Sequence, residues 1–262
     1  MNNQPPEQRL NLYTPLNIQE IFLTLQGEGP FSGSPAVFVR LAGCNLQCPG
    51  CDTDYTSKRH DKTISEILEE VGNLFEGCLC SSNLVVITGG EPFRQPHVQK
   101  LICKLLDEGY YVQVETNGTL QLPLELVNLT SRQTHLRTGL YIIVSPKTGS
   151  IHPSIEEAAA AYKYVIDADS VDNTDGLPVL ALGHSAKPKV ARPSWLSLSH
   201  ESLYPQNPRP QILSRIYIQA MDVPFDETGE KSTHRNIVTC IAASLKFGYT
   251  FQLQLHKSVG LP

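Results

Sequence analysis

The sequence is defined first by what it has little of. No stretch approaches the roughly 18 consecutive apolar residues that a spanning helix needs, so no membrane contact is expected. The opening residues, MNNQPPEQRL, carry neither a basic flank with an apolar run nor an Arg-rich amphipathic pattern, so no export or transit signal is visible. Positive charge is in deficit. The 21 Lys and Arg stand against 26 Asp and Glu, and the net charge of -5 argues against a broad nucleic-acid-binding face while leaving room for a local basic pocket. Cysteine is present in an odd number, seven, and nothing marks secretion, which speaks against a disulfide framework and for a cytoplasmic protein with reduced thiols. What remains is ample for a packed core: 262 residues, 40% of them hydrophobic.

Three of the thiols fall together in residues 44–53, Cys-Asn-Leu-Gln-Cys-Pro-Gly-Cys-Asp-Thr. The spacing Cys-x3-Cys-x2-Cys reaches one soft metal centre only if the backbone wraps around it, and Pro49 with Gly50 suits such a loop. Four-coordinate zinc wants a fourth ligand, yet Cys78, Cys80, Cys103 and Cys240 offer no matching Cys-x-x-Cys pair, so a zinc knuckle would have to borrow a distant His. An electron-transfer ferredoxin would show a fourth local cysteine. Three thiolates on a cubane cluster would instead leave one iron for an exogenous ligand. Cys78 and Cys80 read as a plain loop pair, and Cys103 and Cys240 as core filler on helix faces.

Around this loop the chain alternates strands and helices. Residues 1–15 form a polar, proline-bearing flexible leader, and 16–262 read as a single domain. Residues 18–25 and 36–41 are strand-like, the second interrupted by Arg40, a buried cation that wants either an anionic ligand or a carboxylate such as Glu28. Thr63-Ile64-Ser65-Glu66 is a capping box that opens a helix. Strands are expected at 84–87, 110–114, 140–144, 162–166, 212–218 and 250–255, with helices at 96–108, 154–161 and 233–247, the last facing the core through Ile237, Val238, Ile241 and Leu245. Residues 183–210, with Trp195 and several prolines, break the rhythm as a Pro-rich insertion or loop, either a lid or a solvated excursion. Repeated βα units predict a parallel sheet, open or closed into a barrel, with its chemistry at the C-terminal strand ends. Those ends carry Gln26 and Glu28, the cysteine loop, Thr88-Gly89-Gly90-Glu91-Pro92, Glu115-Thr116-Asn117-Gly118 and Ser145-Pro146-Lys147.

The cysteine spacing resembles the signature of the radical S-adenosylmethionine (SAM) enzymes, in which three cysteines hold a 4Fe-4S cluster and SAM chelates the fourth iron. Thr88-Gly89-Gly90-Glu91-Pro92 looks like the loop that meets the SAM amino group there: its glycines admit close approach of main chain, and Glu91 either accepts from an ammonium or stabilises the loop. Leu25-Gln26-Gly27-Glu28-Gly29, Arg40-Leu41-Ala42-Gly43-Cys44-Asn45-Leu46, Cys51-Asp52-Thr53, Glu115-Thr116-Asn117-Gly118, Ser145-Pro146-Lys147 and the closing Gln254-Leu255-His256-Lys257 with Gly260-Leu261-Pro262 together resemble the 7-carboxy-7-deazaguanine synthase family. A glycyl-radical activating enzyme, the runner-up, would share the cysteines and glycine loop without needing the first or last of these motifs, and a non-catalytic Fe-S or zinc module is the reading of a different class.

The resemblance implies an α/β fold, a partial, modified TIM-like barrel of the radical SAM type with mostly parallel strands. It implies a ring contraction of 6-carboxy-5,6,7,8-tetrahydropterin to 7-carboxy-7-deazaguanine with loss of ammonia, on the route to deazapurines such as queuosine. The reaction is begun by a 5'-deoxyadenosyl radical that takes hydrogen from substrate C6 and later returns it, so that SAM is regenerated. Carried over by position, Cys44, Cys48 and Cys51 hold the 4Fe-4S cluster. Gly50, Cys51, Asp52, Gly90, Glu91, Ser145, Pro146 and Lys147 meet SAM, as do Gln219, Ala220, Met221 and Asp222, although Ala220 stands where the family pattern has proline. Thr53 places a hydroxyl on Mg2+, or else bonds its own loop. Leu25, Gln26, Gly27, Glu28, Arg40 and Thr88 surround the pterin. Arg40 faces the substrate carboxylate, and Glu28 or the free carboxylate of Pro262 faces the guanidine-like edge. His256 either donates to the substrate or satisfies a strand end. A homodimer and a flavodoxin-like electron donor are the expected partners.

Overall fold

The computed structural model describes residues 15–49, 51, 53–57, 59–78, 82–130, 139–180, 189–197, 215–222, 232–254 and 260. Its centre is one nine-stranded sheet, ordered β3-β1-β2-β4-β5-β6-β7-β8-β9. The strands are β1 (Leu16–Leu25), β2 (Pro35–Leu41), β3 (His60–Lys62), β4 (Leu84–Gly89), β5 (Tyr111–Thr116), β6 (Leu140–Val144), β7 (Ala159–Ile166), β8 (Ile216–Ala220) and β9 (Thr250–Gln252). From β2 to β9 every neighbouring pair is parallel; β1 runs antiparallel to both β2 and β3 at the opposite edge. The fold is therefore the open, mostly parallel α/β barrel expected. Strand β3 was not anticipated: His-Asp-Lys has no apolar signal, and its pairing with β1 supplies the order.

Period-two alternation sorts the strand residues into two faces. Val37, Val39, Val85, Ile87, Val112, Val114, Ile142, Val144, Tyr162, Tyr164, Ile216 and Ile218 point outward and are buried under the helices α1 (Ile64–Cys78), α2 (Val98–Asp107), α3 (Leu124–Val127), α4 (Pro153–Ala158) and α5 (Ser232–Phe247). Each such side chain contributes about 1.5–3 kcal/mol by leaving water. The capping box opens α1 as expected, with Thr63 N–H donating to Glu66 Oε2 and Glu66 N–H to Thr63 Oγ1. On the inner face, Ala36, Phe38, Leu84 and Val86 make a small second cluster with Phe22 and Phe31 that plugs the bottom of the barrel. Above it the inner positions become polar: Arg40, Thr88, Glu115, Lys163 and Gln219.

Two expectations change. The helix expected at 154–161 ends at Ala158, and β7 begins at Ala159, because Ala159 and Ala161 pair with β6. Helix α5 is rotated from its expected face. Val238, Ile241 and Leu245 are exposed, and Asn236, Cys240, Ala243 and Phe247 are buried. Asn236 fixes the rotation, since its Nδ2 donates to Met221 O at 2.9 Å and its Oδ1 accepts from Ala168 N at 2.8 Å, satisfying the ends of β7 and β8. Of residues 183–210, the described part, 189–197, packs on the outer face, with Trp195 edge-on to Tyr162 at 6.2 Å and Ala191 N bonded to Thr148 O. Cys240 is buried, Cys103 packs partly buried against the core, and Cys80 lies outside the described residues.

Strand β9 meets the start of the sheet without pairing to it. Gly29 N donates to Gln252 Oε1 and Gln252 Nε2 to Gly29 O, both at 2.7 Å, so one side-chain amide does the work of a peptide group.

Candidate active site

The C-terminal strand ends open on a cavity of ≈ 480 Å³. Its rim carries Cys44, Cys48 and Cys51 with Thr53, and Gly89 and Gly90 face them; Ser145, Lys147 and 219–222 stand opposite, and Leu25, Gln26, Glu28, Arg40 and Thr88 lie below. Gly27, Pro146 and Glu91 do not line it. Gly50, Asp52, His256 and Pro262 lie outside the described residues.

The cysteine loop leaves β2 and crosses directly over the glycine loop. Gly43 N donates to Tyr55 O and Glu91 N to Gly43 O, so both limbs are tied by main chain. A Cβ on Gly90 would stand 2.1 Å from Gly43 O and 2.8 Å from Cys44 Cβ; only glycine permits the approach. Cys44, Cys48 and Cys51 are free thiols. Burial raises Cys44 to about 11 and also raises Cys48, with Lys147 opposing the latter, so burial disfavours the bare thiolate at both. Among the described residues no three His, Cys, Asp or Glu side chains converge on a single ion. A cubane asks for less, because each thiolate meets its own iron, and the three rim thiols fit that requirement.

Glu91 is fully buried beneath the loop. It accepts from Thr116 Oγ1 at 2.8 Å, Asn117 N at 2.8 Å and Phe93 N at 3.1 Å. Burial pushes its carboxyl up to about 7 against the pull of these donors. Its place is thus the loop-stabilising one of the two readings, with no surface toward a ligand.

The floor holds a network that sequence reasoning missed. Lys163 Nζ pairs with Glu28 Oε2 and lies 3.9 Å from Glu115 Oε2. Glu28 Oε1 also accepts from Gln219 Nε2 at 2.9 Å and Gln254 Nε2 at 2.7 Å. Burial alone would raise Glu28; the Lys163 charge and these hydrogen bonds prevail and hold it at about 2. Glu115 accepts from Thr88 Oγ1 at 3.0 Å, Gln113 Nε2 at 3.0 Å and Gln26 Nε2 at 3.2 Å. The available signal was Lys163 itself, a lone cation in the otherwise apolar run of β7. Arg40 does not pair with Glu28. It bonds Glu20 Oε1 at 2.7 Å and stacks over Phe22 at 5.1 Å, and its Nε has no hydrogen-bond partner among the described residues.

The radical SAM superfamily profile matches residues 39–178. A 7-carboxy-7-deazaguanine synthase of Rhodospirillum rubrum is 39% identical over 92% of this chain and 90% of its own length. The chain belongs to the 7-carboxy-7-deazaguanine synthase family. Its relative of that name in Rickettsia prowazekii is 33% identical over 95% of this chain and 89% of its own length. The crystal structure of QueE from Escherichia coli shares the fold, with a TM-score of 0.51 at 23% identity, covering 90% of this chain and 92% of that one. The cysteine loop and the glycine loop that carry the resemblance stand at the mouth of one cavity, with Lys163 on its floor.

Proposed function

We propose that this chain is a radical SAM carbon–nitrogen lyase that contracts 6-carboxy-5,6,7,8-tetrahydropterin to 7-carboxy-7-deazaguanine with release of ammonia, in 7-deazapurine and queuosine biosynthesis. The observation that carries the reading is a single cavity in which three thiols, a glycine loop and a mixed-charge floor meet. Cys44, Cys48 and Cys51 would hold a 4Fe-4S cluster, and Gly90, Ser145, Lys147 and 219–222 would flank SAM. Together the cluster and SAM supply the 5'-deoxyadenosyl radical. The chain's own part is to bind, orient and exclude solvent. Arg40, braced by Glu20 and Phe22, is the cation for the substrate carboxylate. Glu28, the carboxylate that the resemblance assigns to the guanidine-like edge, and its neighbour Glu115 each accept three hydrogen bonds, so the substrate edge would displace one of these donors. Thr53 offers a hydroxyl for Mg2+, whose remaining positions water and substrate oxygens would fill.

By resemblance we also take 16–262 as one domain, assembled as a homodimer, reduced by a flavodoxin-like protein and working in the cytoplasm, where the thiols stay reduced. Among the described residues no helix is long and apolar enough to cross a membrane. The test is anaerobic turnover of the reconstituted protein with SAM, Mg2+, reductant and the pterin, read by mass and absorbance. Formation of 7-carboxy-7-deazaguanine supports the assignment. SAM cleavage without a deazapurine would sink the substrate and leave the cluster.

A further inference from the structure

The segment after β5, Asn117-Gly118-Thr119, has no part in the chemistry above, yet it reaches the cysteine loop. Asn45 Nδ2 donates to Thr119 Oγ1 at 2.8 Å, Thr119 Oγ1 donates to Asn117 Oδ1 at 2.6 Å, and Asn117 Nδ2 donates to Asn45 Oδ1 at 2.9 Å. The three bonds close a ring in which each group donates to the next. Its sense is fixed by chemistry. The Thr119 backbone N–H, which can only donate, meets Asn117 Oδ1 at 2.9 Å. Asn117 must then turn its amide nitrogen to Asn45, and Asn45 its own to Thr119. Such a ring polarises its members in the same direction, and neither amide can turn over without breaking bonds.

The ring is anchored on both sides. Asn117 N donates to the buried Glu91 at 2.8 Å, which sits under the glycine loop. On the other side Asn45 follows Cys44, whose sulfur lies 3.9 Å from Asn45 Oδ1 and accepts from Leu46 N at 3.4 Å. We propose that Asn45, Asn117 and Thr119 form a latch that holds Cys44, and with it the cysteine loop, in register with the glycine loop, making them positioning residues for the iron–sulfur cluster. The inference rests on the cluster reading above. It assigns the asparagines beside the first thiol and after β5 to the outer shell of the metal group, the shell that orients ligands already chosen.

The test uses anaerobically reconstituted protein in four forms: wild type, Thr119→Val, Asn45→Ala and Thr119→Ser. Valine keeps the shape of threonine and removes both ring bonds of the hydroxyl; serine restores the hydroxyl. Asn45 is exposed, so its alanine variant folds whatever the latch does. The readouts are the rate of iron loss to a ferrous chelator and the melting temperature of the apoprotein. Losses of outer-shell partners typically weaken metal binding by about ten-fold or more, so Thr119→Val and Asn45→Ala are expected to release iron about ten times faster, with Thr119→Ser at the wild-type rate and apoprotein melting unchanged. Iron loss at the wild-type rate in both disrupted variants overturns the latch, as does a serine variant as leaky as valine. Lower apoprotein melting without faster iron loss also overturns it, making the ring an ordinary loop support. A wild-type protein that takes up no cluster refutes the cluster reading itself and is a separate failure.

Discussion

Removing the Lys163 ammonium is the most informative single perturbation of the floor. Lys163→Met keeps the length of the stem and leaves Glu28 and Glu115 facing each other in a site where Lys163 and Glu28 are only 9% and 12% exposed. Direction and magnitude come from different considerations. The direction comes from Glu28, which burial would raise but which the Lys163 charge and its hydrogen bonds hold below its ordinary range. Breaking a buried ion pair by deleting one partner costs about 3–5 kcal/mol. On that scale Lys163→Met is expected to lose about 3 kcal/mol in urea unfolding at pH 7. The pH dependence carries the sign. In the wild type the Glu28 contribution is whole above pH 4.5 and is lost as pH falls through about 2. Without the lysine, burial dominates and raises Glu28, so the variant gains stability as pH is lowered from neutrality, which the wild type does not gain from this group. Adding Glu28→Gln to Lys163→Met removes the stranded charge and is expected to restore at least half of the loss. A Lys163→Met protein within about 0.5 kcal/mol of wild type at pH 7, with the same pH slope, would refute the argument, because surface-like substitutions behave that way.

Other outcomes follow from the rim. Cys48→Ala should abolish the brown chromophore and product formation together while leaving the melting of the apoprotein close to wild type. Gly90→Ala forces the glycine and cysteine loops apart, since the new Cβ would meet main chain at 2.1 Å; SAM affinity measured by calorimetry should fall by at least about ten-fold, and unchanged affinity would mean that the loops yield freely. Glu91→Gln opposes an amide NH2 to one of the three donors around it, which is expected to cost about 1–3 kcal/mol in chemical denaturation, and a neutral result would show that the site relaxes.

Much of this was legible because the signals are local. The apolar runs of β2, β4 and β6 and the capping box of α1 declare themselves within a few residues, and the cysteine spacing with the glycine loop names the cavity mouth. What was hidden depends on partners remote in sequence. Strand β3 is polar and exists through β1. The face of α5 is chosen by Asn236, a polar residue whose two bonds to strand ends outweigh three apolar side chains left in water, and no hydrophobic period reports that. Glu28 and Arg40 were rightly seen as an anion and a cation near one pocket. Their partners, Lys163 and Glu20, could be told apart only by the register of β7 and β1.

The amide of Gln252 on Gly29 joins segments 223 positions apart. Contacts at that separation are, with the Gln254–Glu28 bond, among the longest-range between described residues, and the entropy of closing such a loop is met most readily when the rest of the sheet is already in place. The sheet from β2 to β7 can therefore form while the C-terminal residues are still being made, but the barrel wall beside Glu28 is finished last. Because Ile216, Ile218, Cys240 and Phe247 belong to the same core, the wall of the pocket and the last part of the core are expected to order together. Native-state hydrogen exchange should report the same hierarchy, with the Gly29 amide opening at a lower free energy than the amide of Val114 at the centre of the sheet.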